Sequence, residues 1–192
     1  MESTALSQSG IETLRRRSCL SLAKDIEPVL QAVCVDRFIL RWGVLLEHAP
    51  GTRNPMTWVD CLVVLPFGVF VVSHYHWAGS VTRTTNDEEL LMRDKYGIAS
   101  IQTSPSRRAT SALRYLRAHL NQYQCPVEYV AVFPDRYCTL DPALPEAVLQ
   151  IPELYHFLRV RLSRFYNSRS RLLDVQRIVS ELHRHYVDWG EG

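Results

Sequence analysis

Residues 58–81, WVDCLVVLPFGVFVVSHYHWAGSV, constrain this chain more than any other stretch. Two apolar runs, 59–65 and 69–75, flank Pro66-Phe67-Gly68. Short runs rich in Val and Phe, bounded by turn residues, predict two adjacent buried strands. One carboxylate, Asp60, sits inside the first run. An unpaired carboxylate is costly to bury, so Asp60 needs a partner, a metal or a polar site. Side chains alternate along a strand, which places Ser73 and Tyr75 on one face and His74 on the other. His74 and His76 also share a face, opposite Ser73 and Tyr75. No third metal ligand accompanies them in the sequence, and they read as structural or exposed.

The flanking sequence supplies the rest of a domain. With 192 residues and 46% apolar content, one core with a helical extension is the simplest reading. Residues 1–10 are small and polar and read as a flexible end. Residues 11–140 form the core and 141–192 the helical extension. Within the core, 11–35 has helical periodicity, with Pro28 as a break or second start. Residues 37–47 read as the first strand, followed by a turn-rich loop over 48–57. Residues 82–101 are polar, and Asp87-Glu88-Glu89 reads as a solvated charge run. Ser104-Pro105 signals a helix over 106–123, with Ser104 as N-cap. Its apolar stripe is Ala109, Ala112, Leu113, Leu116 and Leu120, while Arg107, Arg108, Arg114 and Arg117 fill much of the remainder. Residues 126–135 form another strand, reached by a crossover from that helix. Two helices close the chain, 152–166 and 170–186, the second capped by Ser170. Residues 186–192 are expected to fray.

The pattern Asp60-x-Leu62-Val63-Val64-x-Pro66-x-Gly68-Val69-Phe70-Val71-Val72, then Trp77-x-Gly79, resembles the nuclease-related domain (NERD) family. The 126–133 strand, starting Pro126-Val127 and ending Val132-Phe133, resembles a further block of that family. The family belongs to the PD-(D/E)XK nuclease-like superfamily. The resemblance implies an α/β (α+β) fold with a restriction-endonuclease-like core. Strands one to three form an antiparallel meander, the sheet is mixed and flanked by helices, and a helical pair ends the chain. In the family, the first motif strand carries an Asp, and the second carries a Glu and, two residues later, a Lys. The carboxylates hold a divalent ion, usually Mg²⁺, which polarises phosphate and activates a water, while the Lys steadies the developing charge. Asp60 matches the Asp and is the metal-ligand candidate. Ser73 stands at the Glu position and Tyr75 at the Lys position. A serine hydroxyl is a weak neutral ligand, and a tyrosine offers one donor without a charge. Arg108 stands where the family's helix start carries a Gln. Replacement carboxylates are sought in Glu27, Glu47, Glu88 and Glu89, and Glu12 or Glu27 could match the N-terminal helix Glu of the family.

Composition narrows the functional classes. The formal charge is +2, so there is no global basic signal for nucleic acid. Basic residues are nearly all arginine, with Lys24 and Lys95 the lysines. Arg107, Arg108 and Arg114 are the candidate nucleic-acid contacts, and the arginine-rich terminal helices are candidates for a protein partner. The five scattered cysteines, Cys19, Cys34, Cys61, Cys125 and Cys138, show no metal spacing and fit a reducing compartment. The polar N-terminus and the lack of a spanning apolar run predict a cytoplasmic protein without membrane association. The leading expectation is a catalytically degenerate nuclease-related domain, binding DNA or RNA or serving as a scaffold in nucleic-acid processing. The alternatives are an active Mg²⁺-dependent nuclease rebuilt around Asp60, and a protein-interaction subunit without nucleic acid.

Overall fold

The two apolar runs pair as β2 (Met56–Leu65) and β3 (Gly68–His74), antiparallel, with Leu65 opposite Gly68 across a two-residue turn. Every residue from Cys61 to Val72 is buried. Both faces of these strands are covered, which explains why their sequence is continuously apolar rather than alternating. The computed structural model describes residues 8–35, 37–49, 51–53, 55–133, 136–168, 171–184 and 186–188.

The remaining elements are α1 (Gln8–Cys34), β1 (Ile39–Glu47), β4 (Gly79–Arg83), β5 (Glu89–Arg93), β6 (Ala99–Thr103) and α2 (Pro105–Leu120). They are followed by β7 (Val127–Phe133), β8 (Cys138–Leu140), β9 (Val148–Gln150), α3 (Leu154–Ser168), α4 (Val175–His183) and β10 (Tyr186–Asp188). The main sheet has the order β10-β1-β2-β3-β7-β9. Strands β1 to β3 form the expected antiparallel meander, and β7 joins β3 in parallel. The crossover through α2 makes that parallel pairing possible.

Helices cover both faces. Leu22, Ile26 and Leu30 of α1 and Leu154, Phe157 and Leu158 of α3 pack on Val63, Phe70 and Val72. On the other face, Leu116 and Leu120 of α2 and Ile178, Val179 and Leu182 of α4 pack on Leu62, Val64, Val69 and Val71. The result is a mixed α+β fold of helix, mixed sheet and helix layers, consistent with a nuclease-like core. No described helix is long and apolar enough to cross a membrane.

Four expectations need correction. Pro28 does not break α1, which runs through it. A proline inside a helix costs about 3 kcal/mol, whereas each buried Leu or Ile contributes about 1.5–3 kcal/mol. Leu22 and Ile26 before Pro28 and Leu30 and Val33 after it are all buried on the same core. The polar stretch 82–101, to which the sequence reading assigns no strand, is structured. It supplies β4, β5 and β6 of a second sheet, ordered β6-β5-β4-β8. Within it only Leu90 is buried, so the hydrophobic signal is weak. The last helix begins later than expected, at Val175, with the Asp174 carboxylate accepting from the Arg177 amide at 3.1 Å. Ser170 lies outside the described residues. Finally, residues 186–188 form β10 against Leu45 and Leu46; residues 189–192 are not described.

Candidate functional site

Asp60 lies in β2 opposite Gly43 of β1, which adopts a left-handed φ of +64°. Strand alternation slips there. Val59 and Leu62 both join the α2-side core, whereas Cys61 joins the α1-side core. The Trp58 ring lies over Gly43, close enough that a Cβ there would touch its ring carbons at 3.4 Å, and the left-handed φ is what favours glycine at this position. The slip turns Asp60 towards α1, where its carboxylate meets three donors. Oδ1 accepts from Trp58 Nε1–H at 3.1 Å and from the Cys19 thiol at 3.7 Å. Oδ2 accepts from the His74 backbone N–H at 3.0 Å. The last bond extends the β2–β3 ladder by a side chain, beyond the Cys61–Val72 pair where backbone pairing ends.

A cavity of about 590 Å³ opens beside Asp60, between the first turns of α2 and the α1 segment around Arg15. Asp60, Ser73, Tyr75 and Arg108 all line it. His74 and His76 line it too, from the α1 side, as alternation predicts: His76 bonds Ser18 of α1, whereas Tyr75 joins the α2-side core. The cavity lies where β3 ends, at His74, so side chains from both faces of the strand reach it. The His74 and His76 rings lie 4.0 Å apart, and His76 Nε2 shares a 2.7 Å hydrogen bond with Ser18 Oγ. Both ring nitrogens of His74 are closed off from solvent and have no partner among the described residues. Burial, then the neighbouring His76, lowers its pKa to about 4 against the opposing pull of Asp60 and Asp25. It is therefore neutral near pH 7.

Tyr75 stacks on Phe133 at 5.3 Å and meets the edge of Trp77 at the same distance. Burial pushes its phenol up to about 12, with Arg108 opposing the rise. It stays a neutral donor and cannot supply the charge of a lysine. The Arg108 guanidinium lies 5.9 Å from the Tyr75 ring centre. Across the cavity, Arg15 sits 4.6 Å over the Trp58 ring. Both arginines are exposed, and neither forms an ion pair with a described residue. Stacking on a ring leaves the donor edge of a guanidinium available to an oxyanion.

The other candidates fall elsewhere. Arg107 leaves the cavity and pairs with Glu88 at 2.7 Å. Arg114 is exposed further along α2 and does not line the cavity. Glu12 pairs with Arg16 at 3.2 Å on the exposed side of α1. Neither Glu12, Glu27, Glu47, Glu88 nor Glu89 reaches the cavity wall; Asp60 is the sole carboxylate among the described residues that line it. No described group of three or more Asp, Glu, His or Cys side chains is arranged to hold a metal. Mg²⁺ takes an octahedral oxygen shell, commonly anchored by carboxylates. One carboxylate with both oxygens already hydrogen-bonded does not fit that demand. Arg15, Ser18 and Trp58 escaped the sequence reading. Only the helical phase of α1, which sets Arg15 and Ser18 beside the buried Cys19 and Leu22, carries a trace of their position.

A sequence model of the family described as nuclease-related domain matches residues 27–134. No curated protein and no solved structure matches the chain.

Proposed function

The chain belongs to the nuclease-related domain family, and from that premise we propose that it binds nucleic acid through the family's site without hydrolysing it. One observation carries the reading. The family aspartate, Asp60, is bound by three protein donors in a cavity flanked by Arg15 and Arg108, whose guanidiniums have no ion pair among the described residues. Hydrolysis by this family's chemistry needs the carboxylates free for a cation and a cationic group on the developing charge. Ser73 and the neutral phenol of Tyr75 supply neither. Two guanidiniums at one recess, in contrast, are suited to phosphate, which they bind through charge-assisted pairs of hydrogen bonds. The fold is retained and its site serves recognition.

The test is a paired measurement on single- and double-stranded DNA and RNA. Binding is expected in EDTA as well as in Mg²⁺, weakening steeply with salt as counterions are released. Strand cleavage is expected to be absent with Mg²⁺ or Mn²⁺. Cleavage that disappears in Asp60→Ala would instead establish a rebuilt nuclease. Absence of binding at low salt would favour a protein partner for the arginine-bearing helices.

A further inference from the structure

We propose that the cavity admits one unpaired nucleotide base first, with the base against Asp60 and His74 and the phosphates on Arg15 and Arg108, so that single-stranded nucleic acid is the ligand. This deepens the nucleic-acid reading above and rests on it. The polarity of the recess sets the orientation. Its half-buried members include a carboxylate, Asp60, and the imidazole of His74, while the guanidiniums of Arg15 and Arg108 are exposed. A phosphate pushed inward would face a carboxylate without a cation, which is costly in a partly desolvated site. A base edge carries neutral donors and acceptors instead. His74 is neutral, and a neutral imidazole offers one donor and one acceptor. Both of its ring nitrogens lack a partner among the described residues. The exposed His76 ring lies over it, fastened to Ser18 by one hydrogen bond. A base displacing that ring would reach His74.

The aromatic surfaces agree with this placement. Trp58 is held between Gly43 and Arg15, and Tyr75 between Phe133 and Arg108. Their faces are occupied by the protein. With His76 displaced, the half-buried Trp77 is the ring left to meet a base, and such stacking tolerates any base. The cavity volume of about 590 Å³ falls in the range of small-molecule pockets. A duplex keeps its bases stacked and paired, so it presents only its backbone unless a base is flipped out.

Fluorescence anisotropy at low salt tests this with five probes of equal length: single-stranded DNA, single-stranded RNA, the two matching duplexes, and an abasic single strand that keeps every phosphate. Intact single strands are expected to bind at least about tenfold more tightly than duplex or abasic strand. The DNA and RNA arms show which sugar is preferred. His74→Phe keeps the ring but removes its nitrogens, and is expected to lower single-strand affinity while leaving abasic-strand affinity unchanged. An abasic strand or duplex bound as tightly as the intact single strand would overturn base-first entry while leaving nucleic-acid binding in place. No binding of any probe would overturn both. If His74→Phe fails to fold, the wild-type comparison of intact and abasic strands still decides the matter.

Discussion

Asp60 is where a single residue does most to join the layers, because its two oxygens hold Trp58, Cys19 of α1 and the last residue of β3, His74. Asp60→Ala would strand the Trp58 indole N–H and the His74 amide. A cost of about 3 kcal/mol follows, measurable by urea unfolding. Mg²⁺ should not alter the wild-type midpoint. His74 makes a separate prediction about pH. Its folded pKa is about 4, below the ordinary value of 6.5. The unfolded chain therefore binds the proton more readily between those limits, and stability falls as pH drops from about 6.5 towards 4. The groups facing it are His76, which strengthens the effect, and Asp60 and Asp25, which weaken it. Thermal midpoints across that window should lose part of their slope in His74→Gln. An unchanged slope would place the acid sensitivity elsewhere.

At the scale of elements, Arg161 fastens α3 to the main sheet. Its Nε donates to Glu128 of β7 at 2.9 Å, another guanidinium nitrogen meets Glu146 at 2.8 Å, and the group lies 4.3 Å over the Phe157 ring. This largely buried arginine, foreseen as a possible partner contact, is thus committed within the chain. Arg161→Ala is expected to cost about 3 kcal/mol, since it leaves Glu128 unpaired and uncovers Phe157. Arg161→Lys should recover only part, because an ammonium cannot reproduce the planar fork. Gly79 fixes the second sheet. Its φ is +123°, and a Cβ there would collide with the Arg93 carbonyl. Gly79→Ala should destabilise by at least about 2 kcal/mol, read as early loss of amide protection in β4 and β5. The glycine was visible in the sequence as part of the tryptophan turn, but the strand it serves was not. Pairing between Ser80 and Arg93 brings together polar residues whose order alone carries no strand period.

At the scale of the whole molecule, a formal charge of +2 gives no strong long-range attraction, so binding must come from local arrangement. Arg15→Ala and Arg108→Ala should each reduce the slope of log affinity against log salt by about 1. Arg107→Ala should change it less, because Arg107 already pairs with Glu88. Equal effects of Arg107 and Arg108 would move the contact surface away from the cavity and along α2.

Local chemistry in the sequence determined the hairpin at Pro66-Phe67, the buried stripe of α2, the parallel strand after it and the family frame around Asp60. Those features depend on neighbours in the chain: apolar period, turn residues and a proline at a helix start. The site depended on residues far apart in sequence. Arg15 reaches it because α1 packs across β1 and β2, and His74 and His76 enter it because the strand ends at His74. Asp60 was readable as an ionisable group in need of partners. Only tertiary packing decided that Trp58, Cys19 and the His74 backbone would be those partners, since hydrogen bonding is set by proximity in space and leaves no period in the sequence.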